Sequence, residues 1–113
     1  ESAEPDVLLQ GGETLEIAGL TIKVLHTPGH TKGGVSYILE EEHKLFCGDT
    51  LFRESVGRTD FPGGSEAELY RSIKQGLFAL DGDYEVFCGH EGNTTLDYER
   101  WNNPFILAIE RRG

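Results

Sequence analysis

Residues 45–50, LFCGDT, and residues 86–91, VFCGHE, share one form: an apolar residue, then Phe, Cys and Gly, then a side chain able to bind a metal. A short, continuous apolar run ended by glycine suits a strand buried within a sheet. Both runs therefore predict core strands, with Asp49 and His90 just past their C-terminal ends, where the ligands of sheet-based sites converge. Upstream, TLEIAGLTIKVLHT (14–27) alternates on either side of Ala18-Gly19 and predicts a hairpin, with Leu15 and Ile17 on one arm and Leu20, Ile22 and Val24 on the other. VSYIL (35–39) alternates again, and EEEH (40–43) is a polar turn into the first core strand. Downstream, DTLFRESVGRTDFPGG (49–64) has no period, and glycine-rich loops of that length tend to be functional.

Helix is expected at 65–82, where Ser65 and Glu68 form a capping box, Leu69, Ile73, Leu77 and Leu80 recur on one face, and Gly82 is the stop. TTLDYERW (94–101) predicts a short helix capped by Thr94 or Thr95 and ended by NNP (102–104). Strands first, then strand and helix in alternation, imply an α+β (α/β) chain: a mixed, mostly antiparallel sheet with two helices on one face. Its other face presents Leu20, Ile22, Val24, Tyr37 and Phe46, which two helices cannot also cover. That missing layer, with a first residue Glu1 and no methionine anywhere, leads us to expect that residues 1–113 are a single-domain piece of a longer protein.

The formal charge of −10, from 20 acidic and 10 basic residues, sets up a field that repels phosphate backbones and argues against nucleic acid as a partner. No apolar run approaches the roughly 20 residues a membrane span needs, and no leader pattern opens the chain, so a cytoplasmic location is expected. Cys47 and Cys88 read as free thiols in a reducing compartment rather than as a disulfide.

His30, Asp49 and His90 stand at three strand ends, and imidazole with carboxylate suits zinc, iron or manganese. The competing reading has Asp49 capping a turn and His90 packed in the core. Pro28-Gly29 forbids a helix that would set His26 and His30 on one face, so His26, inside its strand, reads as a packed or hydrogen-bonded histidine and His30 as the better ligand candidate. His43 lies in an acidic turn facing solvent. Arg58 either clamps a substrate carboxylate or pairs with Asp60.

HTPGHTKGGVSYIL (26–39), LFCGDTLF (45–52), GRTDFPGG (57–64) and CGHEGNTTLDYERWNNPF (88–105) together resemble the second half of a metallo-β-lactamase-fold hydrolase of the glyoxalase II-like (hydroxyacylglutathione hydrolase-like) group, from about residue 7 to the end. The resemblance implies an αββα sandwich, of which this chain is the C-terminal half. It implies two divalent metal ions, usually zinc and in some members iron or manganese, with His30 on the first, Asp49 bridging both and His90 on the second. The implied chemistry is hydrolysis of a small-molecule thioester or ester by a hydroxide shared between the ions and oriented by Asp49. The family's H-x-H-x-D-H motif, which supplies the other ligands, does not occur here, so the piece alone is expected to be metal-poor and inactive. The extra C-terminal helical region with which glyoxalase II grips glutathione is also missing from these residues, which leaves the thiol half of the substrate open. Persulfide dioxygenases, iron oxidoreductases of the same superfamily, share the HTPGHT and GRTDF patterns and form the second reading. A third is non-catalytic: a half-domain that forms a homo-oligomer through its bare sheet face.

Overall fold

The computed structural model describes residues 12–60, 62–89 and 92–112. Strands form where alternation predicts them. β1 (Thr14–Ile17) and β2 (Leu20–His26) turn through Ala18 and Gly19, both at positive φ, and pair antiparallel with Ile17 opposite Leu20. A two-residue turn of that hand matches the twist of the strands it joins. β3 (Val35–Leu39) and β4 (Lys44–Gly48) extend the antiparallel meander.

The stretch read as periodless contains a small hairpin, β5 (Leu51–Phe52) with β6 (Ser55–Val56), turning at Glu54 with φ 58°. Two-residue strands are too short to show a period. α1 (Glu66–Arg71) begins at its expected cap, the Ser65 hydroxyl accepting from Glu68 N–H at 3.2 Å. The capping box closes only by half. The Ser65 N–H donates to the Gly29 carbonyl at 2.7 Å, which staples the helix to the 27–34 loop. Beyond Arg71 the helix widens into a π-helical segment, Ser72–Leu77, and stops short of Gly82. The carbonyls of Phe78, Leu80 and Gly82 beyond it accept instead from the Arg100 guanidinium.

β7 (Glu85–Cys88) returns parallel to β4, and β8 (Thr94–Thr95) lines its far side. Among the described residues the sheet order is β1-β2-β3-β4-β7-β8. α2 (Leu96–Asn102) is capped by Thr95. The second helical body runs further than the sequence suggests. Asn-Pro ends α2 and at once starts α3 (Pro104–Arg112), because Asn103 Oδ1 accepts from the N–H groups of Phe105 and Ile106 and proline sits at the first helical position.

Register assigns the two faces. Ile38, Leu45 and Val86 lie side by side on one, and with Cys47 they pack on Leu69, Ile73, Leu77, Leu96 and Ile106 of the helical layer. Val24, Tyr37, Phe46 and Phe87 line up on the other, flanked by the Leu15–Ile22 and Ile17–Leu20 pairs. Val24 is buried there, but Ile17 is 54% exposed, Leu20 37% and Phe46 40%, with Phe46 stacked on Phe87 at 4.7 Å.

Candidate metal centre

The loop after β2 is held from both sides. Thr27 N–H donates to the Gly34 carbonyl at 2.8 Å, and the Ser72 hydroxyl donates to the Pro28 carbonyl at 2.6 Å. Gly29 takes φ 137°, and a Cβ there would run into the backbone of Leu69, so glycine lets the loop seat against α1 and turn His30 outward. Beneath it lie three buried hydroxyls that sequence reasoning passed over: Thr27 Oγ1 is 3.0 Å from Ser36 Oγ, and Thr50 Oγ1 donates to Thr27 Oγ1 at 3.5 Å. They link the His30 loop to the end of β4, which carries Asp49. Hydroxyl residues next to the Pro-Gly turn and next to Gly-Asp were the available signal.

His30 Nε2 stands 3.6 Å from Asp49 Oδ2, with the side chains 24% and 36% exposed. The other ring nitrogen, Nδ1, is 2.8 Å from the Arg58 carbonyl. A carbonyl only accepts, so Nδ1 carries a proton, and in the neutral ring Nε2 turns a lone pair toward the carboxylate. A carbonyl on the far nitrogen is the arrangement that orients metal-binding histidines. Two ligands each about 2.0–2.2 Å from one ion stand roughly 3–4 Å apart, so this pair fits one edge of a divalent-cation site. The backbone closes tightly around Asp49: a Cβ on Gly57 would overlap its carbonyl oxygen, and one on Gly89 would lie 2.5 Å from Oδ1.

His90, predicted to complete the set, lies outside the described residues. Among the described residues no three metal-capable side chains come together. Arg58 turns its guanidinium onto Asp60, Nε to Oδ1 at 3.1 Å and Nη2 to Oδ2 at 3.3 Å. The pair holds the Asp60 carboxyl below and the Arg58 guanidinium above their usual ranges, yet both groups lie in solvent. Arg58 meets His30 through its carbonyl, and its side chain borders a cleft of about 640 Å³ between residues 55–60, α1 and α3. His26 donates from Nε2 to the Lys32 carbonyl, and the exposed His43 donates from Nδ1 to the Asp83 carbonyl while resting on Tyr84. Cys47 and Cys88 form no disulfide.

The sequence profile of the metallo-beta-lactamase superfamily matches residues 2–90. The chain belongs to that superfamily. Hydroxyacylglutathione hydrolase GloC of Haemophilus influenzae is 41% identical over 97 residues, 86% of this chain and 46% of its own length. Among solved structures, BLEG-1 B3 metallo-beta-lactamase superposes with TM-score 0.83 at 42% identity, covering 89% of this chain and 48% of that one. ETHE1 from Myxococcus xanthus gives 0.81 at 34%, over 87% and 44%. TTHA1623, solved in a di-iron-bound form, gives 0.74 at 40%, over 85% and 46%. The mixed sheet with its helical layer is thus half of the metallo-beta-lactamase fold, and the chain spans about half the length of the curated relatives it matches. Members of the superfamily bind divalent metals, which agrees with the His30–Asp49 edge. No helix among the described residues is long and apolar enough to cross a membrane.

Proposed function

We propose that this chain is the C-terminal half of a metal-dependent hydrolase that cleaves a thioester of the hydroxyacylglutathione type. The observation that carries the reading is the His30–Asp49 pair, 3.6 Å apart with the far imidazole nitrogen engaged by a carbonyl, in a chain 41% identical to a hydroxyacylglutathione hydrolase. His30, Asp49 and His90 would hold the metal, and zinc or iron suits this nitrogen and oxygen set. A divalent cation held there would supply Lewis-acid activation of water and of the scissile carbonyl.

The chain's own residues keep the geometry. The Arg58 carbonyl fixes the His30 tautomer, the Thr27–Ser36–Thr50 hydroxyls hold the two ligand loops in register, and Gly57 and Gly89 let backbone approach Asp49 where any Cβ would intrude. Arg58 offers the substrate a guanidinium once Asp60 yields it. The remaining ligands come from the other half of the protein, whose sheet covers Leu20, Phe46 and their neighbours.

In the full-length protein, Asp49→Ala is expected to lose bound metal and thioester turnover together. Normal metal content with normal turnover would overturn the assignment.

A further inference from the structure

Cys47 and Cys88 lie beneath the candidate metal centre, and neither is among its ligands. β4 and β7 pair in parallel with Phe46 opposite Phe87 and Gly48 opposite Cys88, so Cys47 is an extra residue, the bulge of β4, set against Cys88. Cys47 follows Leu45 in the hydrophobic core, and Cys88 packs against that same core. The two thiols are hydrogen-bonded to each other, and Cys47 also donates to the Leu51 carbonyl at 3.3 Å. Parallel strands run about 4.8 Å apart, inside the Cα separation of about 4.4–6.8 Å that a disulfide spans.

We propose that Cys47 and Cys88 are an oxidisable dithiol whose disulfide pins the β4–β7 bulge directly below Asp49. Cys88, the partly exposed member, meets the oxidant first, and Cys47, buried in the core beside it, is the thiol placed to resolve the product. With hydrogen peroxide as oxidant the steps balance. The Cys88 sulfur attacks one peroxide oxygen, the O–O bond breaks, and the departing hydroxide takes the Cys88 proton to leave water and a sulfenic acid. The Cys47 sulfur then attacks the Cys88 sulfur, the S–O bond breaks, and a second hydroxide leaves with the Cys47 proton as water. Two sulfurs lose two electrons in all, and one peroxide is reduced.

The consequence reaches the site through backbone. Gly89 N–H donates to the Gly48 carbonyl at 2.8 Å, and Gly89 borders Asp49 Oδ1, so the spacing of the two strand ends sets the surroundings of that carboxylate. Thiol oxidation thereby acts on the strand end that presents Asp49.

The test is peptide mapping of the full-length protein after hydrogen peroxide, digested with trypsin without reduction. The expected product joins residues 45–53 to residues 75–100 at about 2 Da below the sum of the two peptides, and a dithiol reductant separates them. Cys47→Ser should abolish the linked peptide and leave Cys88 carrying added oxygen. Recovery of both peptides unlinked, with unmodified thiols or with oxygen added to Cys88 alone in the unsubstituted protein, overturns the proposal. So does a link that forms only between two molecules. None of these readouts depends on turnover, so a failed hydrolase assignment leaves the result interpretable.

Discussion

The two faces of the sheet carry similar residues and meet opposite surroundings. Leu45 and Phe46 are neighbours on β4, yet Leu45 is buried under the helices and Phe46 keeps 40% of its surface. Alternation along a strand can only divide residues between faces; what then covers each face depends on other parts of the chain. Here α1, the π-helical segment, α2 and α3 all pack on the Leu45 side, and the Phe46 side holds an apolar row with Ile17 and Leu20 exposed at its margin. A chain spanning about half the length of its relatives, with helices on one sheet face and Phe46, Ile17 and Leu20 exposed on the other, fits half of a two-sheet sandwich.

The sharpest way to break this contrast is truncation on each face in turn. Leu45→Ala should cost about 2–5 kcal/mol of stability in urea unfolding, the usual range for a leucine lost from a packed core. Phe46→Ala in the same chain should cost only about 0.5–1.5 kcal/mol, the worth of its stacking on Phe87. Equal losses in this chain would show the open face to be covered in solution, by self-association, and light scattering would detect the larger species. In the full-length protein the two losses should converge.

A smaller effect distinguishes polar anchoring within the helical layer. Glu99 is fully buried, and its carboxylate accepts from the Glu54 N–H at 3.1 Å, the Asn103 side-chain amide at 2.9 Å and the Thr94 hydroxyl at 2.6 Å. Glu99→Gln turns an NH2 group toward donors and should cost about 1–3 kcal/mol, read as a lower urea midpoint with unchanged slope. A midpoint within error of the unsubstituted protein would mean that the three donors find other acceptors.

The smallest effect lies at the outer rim of that layer. Lys74, 2.7 Å from Glu110, and the Tyr70 hydroxyl hold the Glu110 carboxyl below its usual range. A folded pKa below the unfolded one means stability that is present above the ordinary glutamate value of about 4.3 and is lost as pH falls through the lower folded value. The groups are partly exposed, so Lys74→Gln should cost at most about 1 kcal/mol at pH 7, and the difference should vanish in acid. A difference that persists at low pH would assign the effect to packing of the lysine stem.

Much of the fold is legible in the sequence because its signals are local. Alternation and turn chemistry place β1 through β4, the repeated Phe-Cys-Gly places β4 and β7, and Ser65 and Thr95 mark helix starts through their own side chains. The small β5–β6 hairpin escaped because two residues carry no period. α3 is not legible because Asn-Pro reads locally as an ending, although an asparagine that stops one helix can cap the next.

The candidate site divides the same way. Residue types and spacing put His30 and Asp49 forward as candidates and set His26 and His43 aside, but left Asp49 as a turn cap an equal alternative. Tertiary structure alone decided that His30 Nε2 faces Asp49 across 3.6 Å, that the Arg58 carbonyl sets the imidazole tautomer, and that Asp60 holds the Arg58 guanidinium. It alone also brought Cys47 against Cys88 and buried Glu99 among three donors. Each of these joins separate segments, and a contact between distant segments depends on register and packing, which local pattern does not encode.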